Sequence, residues 1–424
     1  MATLQATELT ELHPLWVGDP HWLALDGSAN RYPALRQTTT CDVLIVGGGV
    51  SGAMMGYHLA RQGFDVAVVD RRQPSVGSTS ASTALLQYEL DTPLTELIVQ
   101  HGEAEAELAY RRCLQALEDI KPLVAELDDP CDLRSCQSVY TAGAKLPPEK
   151  LHEECQARSR IGIKCDMIGK DTLLHDFGVR GEAAIVSDAA SEIDPLRLTR
   201  ALLRGCAKHG GQIFGDTNVS FIDPDRFGVT CPTQRGPSIR ARHVIFTTGY
   251  EMPYFVHSDI VSMRTTFAIA TDPLDPAKLW KDHTLVWEAS DPYFYARTTD
   301  DHRVIMGGED MPYMGAYEPE HLDNAAERLM AKARQVIPSL PPTMKAARKW
   351  GGAFVETDDG LPIVDRIAAS DRVFVSLGYG GNGITFSLIA AQALTARLTG
   401  ETDAFLDLVR IDRGTNESKS QRYA

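Results

Sequence analysis

Between Cys41 and Arg71 the chain reads CDVLIVGGGVSGAMMGYHLARQGFDVAVVDR, an order of residues that few folds can accommodate. Val43 to Val46 is a short apolar run, as a parallel strand buried on both faces requires. It leads into Gly47, Gly49 and Gly52, the G-x-G-x-x-G spacing, with Gly56 beyond. Ala53 to Gln62 then reads as a helix stopped by Gly63. Phe64 to Val69 is a second β-like run, and it closes on an acid, Asp70, 18 residues after Gly52. Each residue type has a job in such a unit. Gly47 permits the tight turn, Gly49 lets backbone approach a pyrophosphate, and Gly52 lets the helix pack closely on the strand. Val50 and Ser51 open the helix, whose free N–H groups and dipole favour negative charge. Asp70 stands near the ~20-residue offset of an acid that binds a ribose hydroxyl. Arg71 is kept with the nucleotide-binding candidates, although Arg71 and Arg72 read as a solvated face, because Asp70 would repel a 2′-phosphate. The ligand is therefore NAD or FAD.

Composition removes several alternatives. A net charge of −15 and a pI of about 5.3 argue against nucleic acid and anionic membrane surfaces as partners. The glycines, Asp42 and Arg61 leave the first apolar run too short for a membrane span. The eight cysteines form no C-x-x-C pair or zinc spacing, and the twelve histidines form no H-x-x-x-H pair, so no metal site is expected. Reduced thiols in a cytoplasmic protein follow. Residues 1–18 have neither the basic start nor the apolar core of a signal peptide. At 424 residues the chain is long enough for two domains.

Residues 1–35 form an irregular arm whose Trp16 and Trp22 anchor it on the body. Gly77 to Asp91, GSTSASTALLQYELD, is a small, hydroxyl-rich loop in which Ser78, Thr79, Ser80, Ser82 and Thr83 let backbone amides approach a flavin. Pro93 to Leu127 has helical periodicity, and residues 130–190 read as short strands and turns. Asp194-Pro195 starts a helix with an N-cap acid and proline in the first turn. Gln212–Phe214, Val219–Ile222 and Arg242–Phe246 read as strands, the last delivering Thr247, Thr248 and Gly249. From Val261 the period is two, giving an antiparallel meander over 264–270, 284–288, 292–297 and 303–307. Asn324 to Val336 is an amphipathic helix. Arg372 to Leu377 is a buried strand entering the glycine-rich loop Gly378–Gly383, followed by an apolar helix from Ile384 to Leu398. The last dozen residues, 413–424, look frayed.

Together these segments resemble the FAD-dependent D-amino-acid oxidase superfamily, which includes glycine, sarcosine and γ-glutamylputrescine oxidases. The likeness rests on GGGVSG with Asp70, GSTSAS, the 194–219 segment, TTGY (Thr247–Tyr250), WGGAFVETDDGLPIVD (Trp350–Asp365) and GYGGNGITFS (Gly378–Ser387). YFYARTTDDHRVIMGG (Tyr293–Gly308) points to the γ-glutamylputrescine oxidase-like branch. The resemblance implies FAD rather than NAD. It places Val219 against the adenine, Thr248 and Gly249 at a strand end by the cofactor, and Gly378, Gly380, Gly381, Asn382, Gly383 and Ile384 against the isoalloxazine. It also implies a fold, α/β with a Rossmann-like FAD-binding domain and a mainly antiparallel-sheet (α+β) substrate domain. The expected division is 36–90, 190–255 and 345–424 for the FAD domain, and 91–189 with 256–344 for the substrate domain.

Some relatives attach flavin through a histidine in the 78–82 region or a cysteine in the C-terminal half. Here Ser80, Ala81 and Ser82 fill the loop and no cysteine follows Cys231, so the FAD is expected to be non-covalent. Sarcosine oxidase activates oxygen with a lysine. This chain has none between Lys208 and Lys278, so oxygen and another electron acceptor both stay open, as does the oligomeric state.

For the substrate, strand periodicity places Tyr293, Tyr295 and Arg297 on one face. A guanidinium with two aromatic walls suits a carboxylate beside an apolar body. Arg297 is therefore the expected carboxylate ligand, with Arg264 a second candidate and Tyr250 and Tyr379 as pocket walls. Trp350 reads as core. The resemblance implies that a neutral small amine or amino acid gives up its α-hydrogen as hydride to flavin N5, leaving an imine that water hydrolyses. Two alternatives are a dehydrogenase of a hydroxy acid or polyol phosphate, and a flavoprotein subunit that only relays electrons.

Overall fold

A computed structural model of the chain describes residues 9–10, 13–25, 31–256, 260–313, 315 and 319–413. The expected loose end lies outside the described residues from 414 onward.

Two sheets organise the molecule. The first has the order Ile363–Arg366, Val373–Leu377, Ser238–Phe246, Thr39–Val46, Val66–Val69, Gln212–Phe214. Along this path neighbours pair in parallel except Ile363–Arg366, antiparallel at one edge, and Val229–Pro232 with Asp223–Pro224 adds an antiparallel branch on Ser238–Phe246. Val43, Leu44, Ile45 and the whole of Val66–Val69 are fully buried, as a sheet covered on both faces demands. Helices Val50–Arg61, Pro195–Lys208 and Gly383–Leu398 pack together over one face. The register sets Phe246 opposite both Val46 and Val375, so three strands end level. Their following loops, at 47, 247 and 378, therefore open at one edge, where ligands bind in sheets of this kind.

The second sheet has ten strands. Its main path runs Trp16–Gly18, Ala346–Thr357, Val261–Thr271, Val304–Pro312, Phe294–Thr298, Leu285–Glu288, Arg134–Thr141, Ala183–Glu192, Leu85–Gln87. Pairing is antiparallel except where Leu285–Glu288 meets Arg134–Thr141. Helix Pro319–Val336 covers part of it, burying Ala325, Ala326, Leu329 and Ala333.

The structure changes several boundaries. Ala346–Thr357 belongs to the second sheet, not to the nucleotide-binding part that was expected to begin at 345. The arm contributes a strand, Trp16–Gly18, to the same sheet. Val219–Ile222 is not a strand; Val219 makes only an isolated bridge to Thr233. The 93–127 region is two helices, Leu94–His101 and Glu103–Glu126, broken at Gly102. Residues 130–190 hold two unexpected helices, Pro148–Arg160 and Lys170–Phe177. The first buries an ion pair, Glu154 with Arg158 at 2.8 Å, on the face where apolar residues would have announced it.

Candidate active site

A cleft of about 340 Å³ runs from the ends of the parallel strands to the second sheet, within the roughly 300–1,000 Å³ usual for ligand sites. Of the cofactor candidates, Gly47, Gly49, Val50, Ser51, Asp70, Arg71, Ser78, Thr79, Ser82, Thr83, Val219, Thr248, Gly249, Gly380, Gly381, Asn382, Gly383 and Ile384 all line it. Gly52, Ser80 and Gly378 do not. Gly52 lies one layer back, where a Cβ would stand 1.8 Å from the Gly47 carbonyl, so it sets helix packing. Ser80 is fully buried and donates to the Gly77 carbonyl at 2.8 Å. Gly378 shapes its loop at φ +69°.

The nucleotide end is built by backbone. Gly47 has φ +113°, and a Cβ there would meet the Thr247 carbonyl at 2.4 Å. Thr79 Oγ1 accepts the Val50 N–H at 3.0 Å, tying the serine-rich turn to the start of helix Val50–Arg61. The first N–H groups of that helix have no intrahelical acceptor and face the cleft. Asp70 accepts the Gly48 N–H at 2.7 Å and the Arg72 N–H at 2.8 Å, and burial pushes its pKa up to about 6. Arg71 and Arg72 are not a solvated face. Arg72 makes a bidentate pair with Glu251 at 2.8 and 2.9 Å, and Arg71 Nε lies 3.7 Å from the same carboxylate. Glu251, buried and next to TTGY, was missed although it directly follows a recognised segment.

The 76–84 loop is fixed through its carbonyls by side chains remote in sequence. Indole N–H groups of Trp16, Trp350 and Trp22 donate to Val76, Ala81 and Ser82 at 3.1, 2.8 and 2.6 Å. Arg297 Nη1 adds bonds to Thr83 and Ala84 at 3.3 and 3.0 Å. Trp16 and Trp22 thus anchor the arm, as expected, and what they anchor it to is the cofactor loop.

The remaining end is aromatic and acidic. Tyr250, Tyr293 and Tyr295 line it as anticipated, and Tyr379 joins them with its hydroxyl committed to Ser376. Tyr140 and Trp287, both unanticipated, stack at 3.6 Å between centroids. Arg297 is not there. It is 3% exposed and pairs with Glu192 at 3.0 Å, and its Nη1 also reaches the Ile193 carbonyl at 3.1 Å. The expectation that it grips a substrate carboxylate is corrected: its charge and donors are already satisfied by protein. Arg264 also misses the cleft wall, standing behind it 3.6 Å from Glu356. In place of arginines, Glu89, Asp91, Glu288, Asp310 and Glu356 line this end, with Lys145. Glu89 and Asp91 close the 77–91 segment, but Glu288, Asp310 and Glu356 come from three separate strands that no spacing in the sequence joins to it.

The residues present fit FAD. Arg71 Nη1 and Thr248 Oγ1 are buried with no hydrogen-bond partner, donors that phosphate and ribose oxygens would satisfy. Helix Gly383–Leu398 begins at the far end of the cleft and adds a second positive dipole end. No histidine or cysteine lines the cleft among the described residues. Nor do these residues contain a His, Cys, Asp and Glu group able to hold a metal, or a helix long and apolar enough to cross a membrane.

Fold and cleft together define a dinucleotide-dependent oxidoreductase of two sheets. The family described as DAO, FAD dependent oxidoreductase, matches residues 42–397, and the chain belongs to it. It is similar to the putative Rieske 2Fe-2S iron-sulfur protein YhfW of Bacillus subtilis (strain 168), 25% identical over 371 residues, 86% of this chain and 70% of that one. It is 24% identical over 389 residues to gamma-glutamylputrescine oxidoreductase of Escherichia coli (strain K12), covering 89% of each. Among solved structures, glycine oxidase from Geobacillus kaustophilus superposes with a TM-score of 0.76 at 20% identity, covering 89% of this chain and 100% of that one. The expected fold class and FAD cofactor are borne out.

Proposed function

We propose that this chain oxidises a C–N bond of a small amine or amino acid, with non-covalently held FAD as acceptor. The observation that carries the reading is the aromatic chamber of Tyr250, Tyr293 and Tyr295, which continues the FAD cleft beside Gly380–Gly383. Relatives named for oxidation of glycine and of gamma-glutamylputrescine support it. When bound, FAD supplies the two-electron oxidation; the rest is positioning. Gly47–Ser51 and Thr248 hold the phosphate and ribose end, and the pinned 76–84 loop and the 380–384 segment hold the ring end. The tyrosines exclude water and orient the α-carbon.

A hydroxy acid or polyol phosphate fits this chamber poorly, because acids outnumber its single lysine. The test is anaerobic mixing of the FAD-loaded protein with amines, amino acids, hydroxy acids and polyol phosphates while the flavin absorbance is followed. Bleaching by amines or amino acids alone supports the proposal. Bleaching by hydroxy acids or polyol phosphates, or by nothing, replaces it with one of the other readings.

A further inference from the structure

Resting on that function, we propose that the substrate carries a second positive charge, held as an ammonium by the carboxylates of Asp310, Glu356 and Asp91, and that it bears no carboxylate of its own. The class is an aliphatic diamine or polyamine, oxidised at one nitrogen while the other is bound.

Three observations lead there. The first is the charge of the wall. Five carboxylates line the chamber and Lys145, exposed at its mouth, is the only cationic side chain lining that end among the described residues. Arg297, the obvious anion receptor, is consumed by Glu192 and four backbone carbonyls.

The second is that the wall is under-compensated. Glu288 is neutralised by Lys332 at 2.6 Å, and Glu356 has only Arg264 at 3.6 Å. Asp91 accepts the Gly381 N–H at 3.0 Å but has no ion-pair partner within 4 Å in the described structure, and Asp310 Oδ1 is buried without a hydrogen bond. Glu89 is 3% exposed and lines the cleft, yet neither of its oxygens receives a hydrogen bond, and its nearest cation, Arg158 Nη1, stands off at 3.6 Å. The buried acceptors among these, the two Glu89 oxygens and Asp310 Oδ1, call for a donor that enters from the cleft.

The third is the aromatic lining. Tyr293 and Tyr295 lie 5.4 Å apart, and the stacked Tyr140–Trp287 pair continues the wall, Trp287 meeting Tyr293 edge-on at 6.4 Å. Such faces suit a methylene chain and attract an ammonium.

The reaction balances without a further oxidant in a single turnover. The nitrogen lone pair forms C=N as the α-carbon hydrogen leaves with two electrons to FAD. Water then adds to the iminium carbon, and C–N cleavage releases an amino-aldehyde and ammonium.

The experiment compares 1,5-diaminopentane, pentylamine and 5-aminopentanoate as anaerobic reductants of the FAD-loaded enzyme. The expected result is reduction by the diamine about tenfold or more efficiently than by pentylamine, with 5-aminopentanoate slowest, since one uncompensated charge pair in a partly buried site is worth at least a factor of ten. In Asp310→Asn that diamine-to-pentylamine ratio falls toward one. A diamine no better than pentylamine, or an aminopentanoate that is fastest, overturns this inference and leaves amine oxidation standing. A ratio unmoved in Asp310→Asn with flavin still bound overturns the assignment to Asp310. Failure of every amine to bleach the flavin overturns the parent function.

Discussion

Replacing Arg297 by methionine separates a structural role from a substrate-binding one. The guanidinium is 3% exposed, pairs with a fully buried Glu192 and holds the carbonyls of Thr83, Ala84 and Ile193. Removing one partner of a buried pair costs about 3–5 kcal/mol, because the other charge stays buried. Glu192 keeps Arg134 as a second partner at 2.7 Å, which places the expected loss at the low end, about 3 kcal/mol. With a urea slope of roughly 3 kcal/mol/M, the unfolding midpoint of Arg297→Met should fall by about 1 M. Two of its bonds fix the cofactor loop, so FAD should also dissociate more readily, by about tenfold for a loss near 1.4 kcal/mol. At saturating FAD the KM for an amine should hold within about threefold, a change under 0.7 kcal/mol. The double variant Glu192→Gln/Arg297→Met should be less unstable than the sum of the singles by about 1–3 kcal/mol. A wild-type urea midpoint combined with a strongly raised KM would refute this reasoning and return Arg297 to the substrate.

Three further outcomes follow from the same contacts. Trp22→Phe leaves the Ser82 carbonyl without its 2.6 Å donor and should weaken FAD binding about fivefold, near 1 kcal/mol; titration of apoprotein with FAD measures it, and unchanged affinity would contradict the clasp. Gly52→Ala sets a methyl 1.8 Å from the Gly47 carbonyl, so the helix must shift and flavin content per chain should collapse; retention of full flavin absorbance would deny the packing role. Burial holds the Asp310 carboxyl up to about 6, above its ordinary 3.8. Between those values the native state keeps a proton that the unfolded chain has lost, so stability falls as pH rises from about 4 to about 6 and stays low above that. Asp310→Asn removes the penalty and should stabilise the FAD-free protein at pH 7 by up to about 3 kcal/mol, with little gain at pH 4. Equal gains at both pH values would show that the carboxyl is not the cause.

The nucleotide half of the molecule was legible because its constraints are local. A buried parallel strand, glycines at fixed spacing and an acid ending the next strand lie within one run, Cys41 to Arg71. The helix capped by Asp194 was equally plain; its side chain accepts the Leu196 and Arg197 N–H groups at 2.8 and 3.0 Å. Helix Pro148–Arg160 escaped notice because it buries Glu154 and Arg158, charges that read as a solvated face. Arg297 misled for a geometric reason. Period two correctly put it in line with Tyr293 and Tyr295, but four residues of strand at about 3.3 Å each carry it some 13 Å from Tyr293, past the chamber. The acidic wall was invisible because Glu288, Asp310 and Glu356 meet one another, and the neighbouring Glu89 and Asp91, only once distant strands have paired.

The central claim is a cleft that holds one FAD by backbone and buried polar groups alone. Its most direct measurement is the fate of flavin when the purified, FAD-loaded protein is precipitated with acid. The purified protein should be yellow with one flavin per chain, and all of that flavin should be in the supernatant after precipitation. Flavin that stays with the pellet, or a protein that remains colourless and takes up no added FAD, would contradict it.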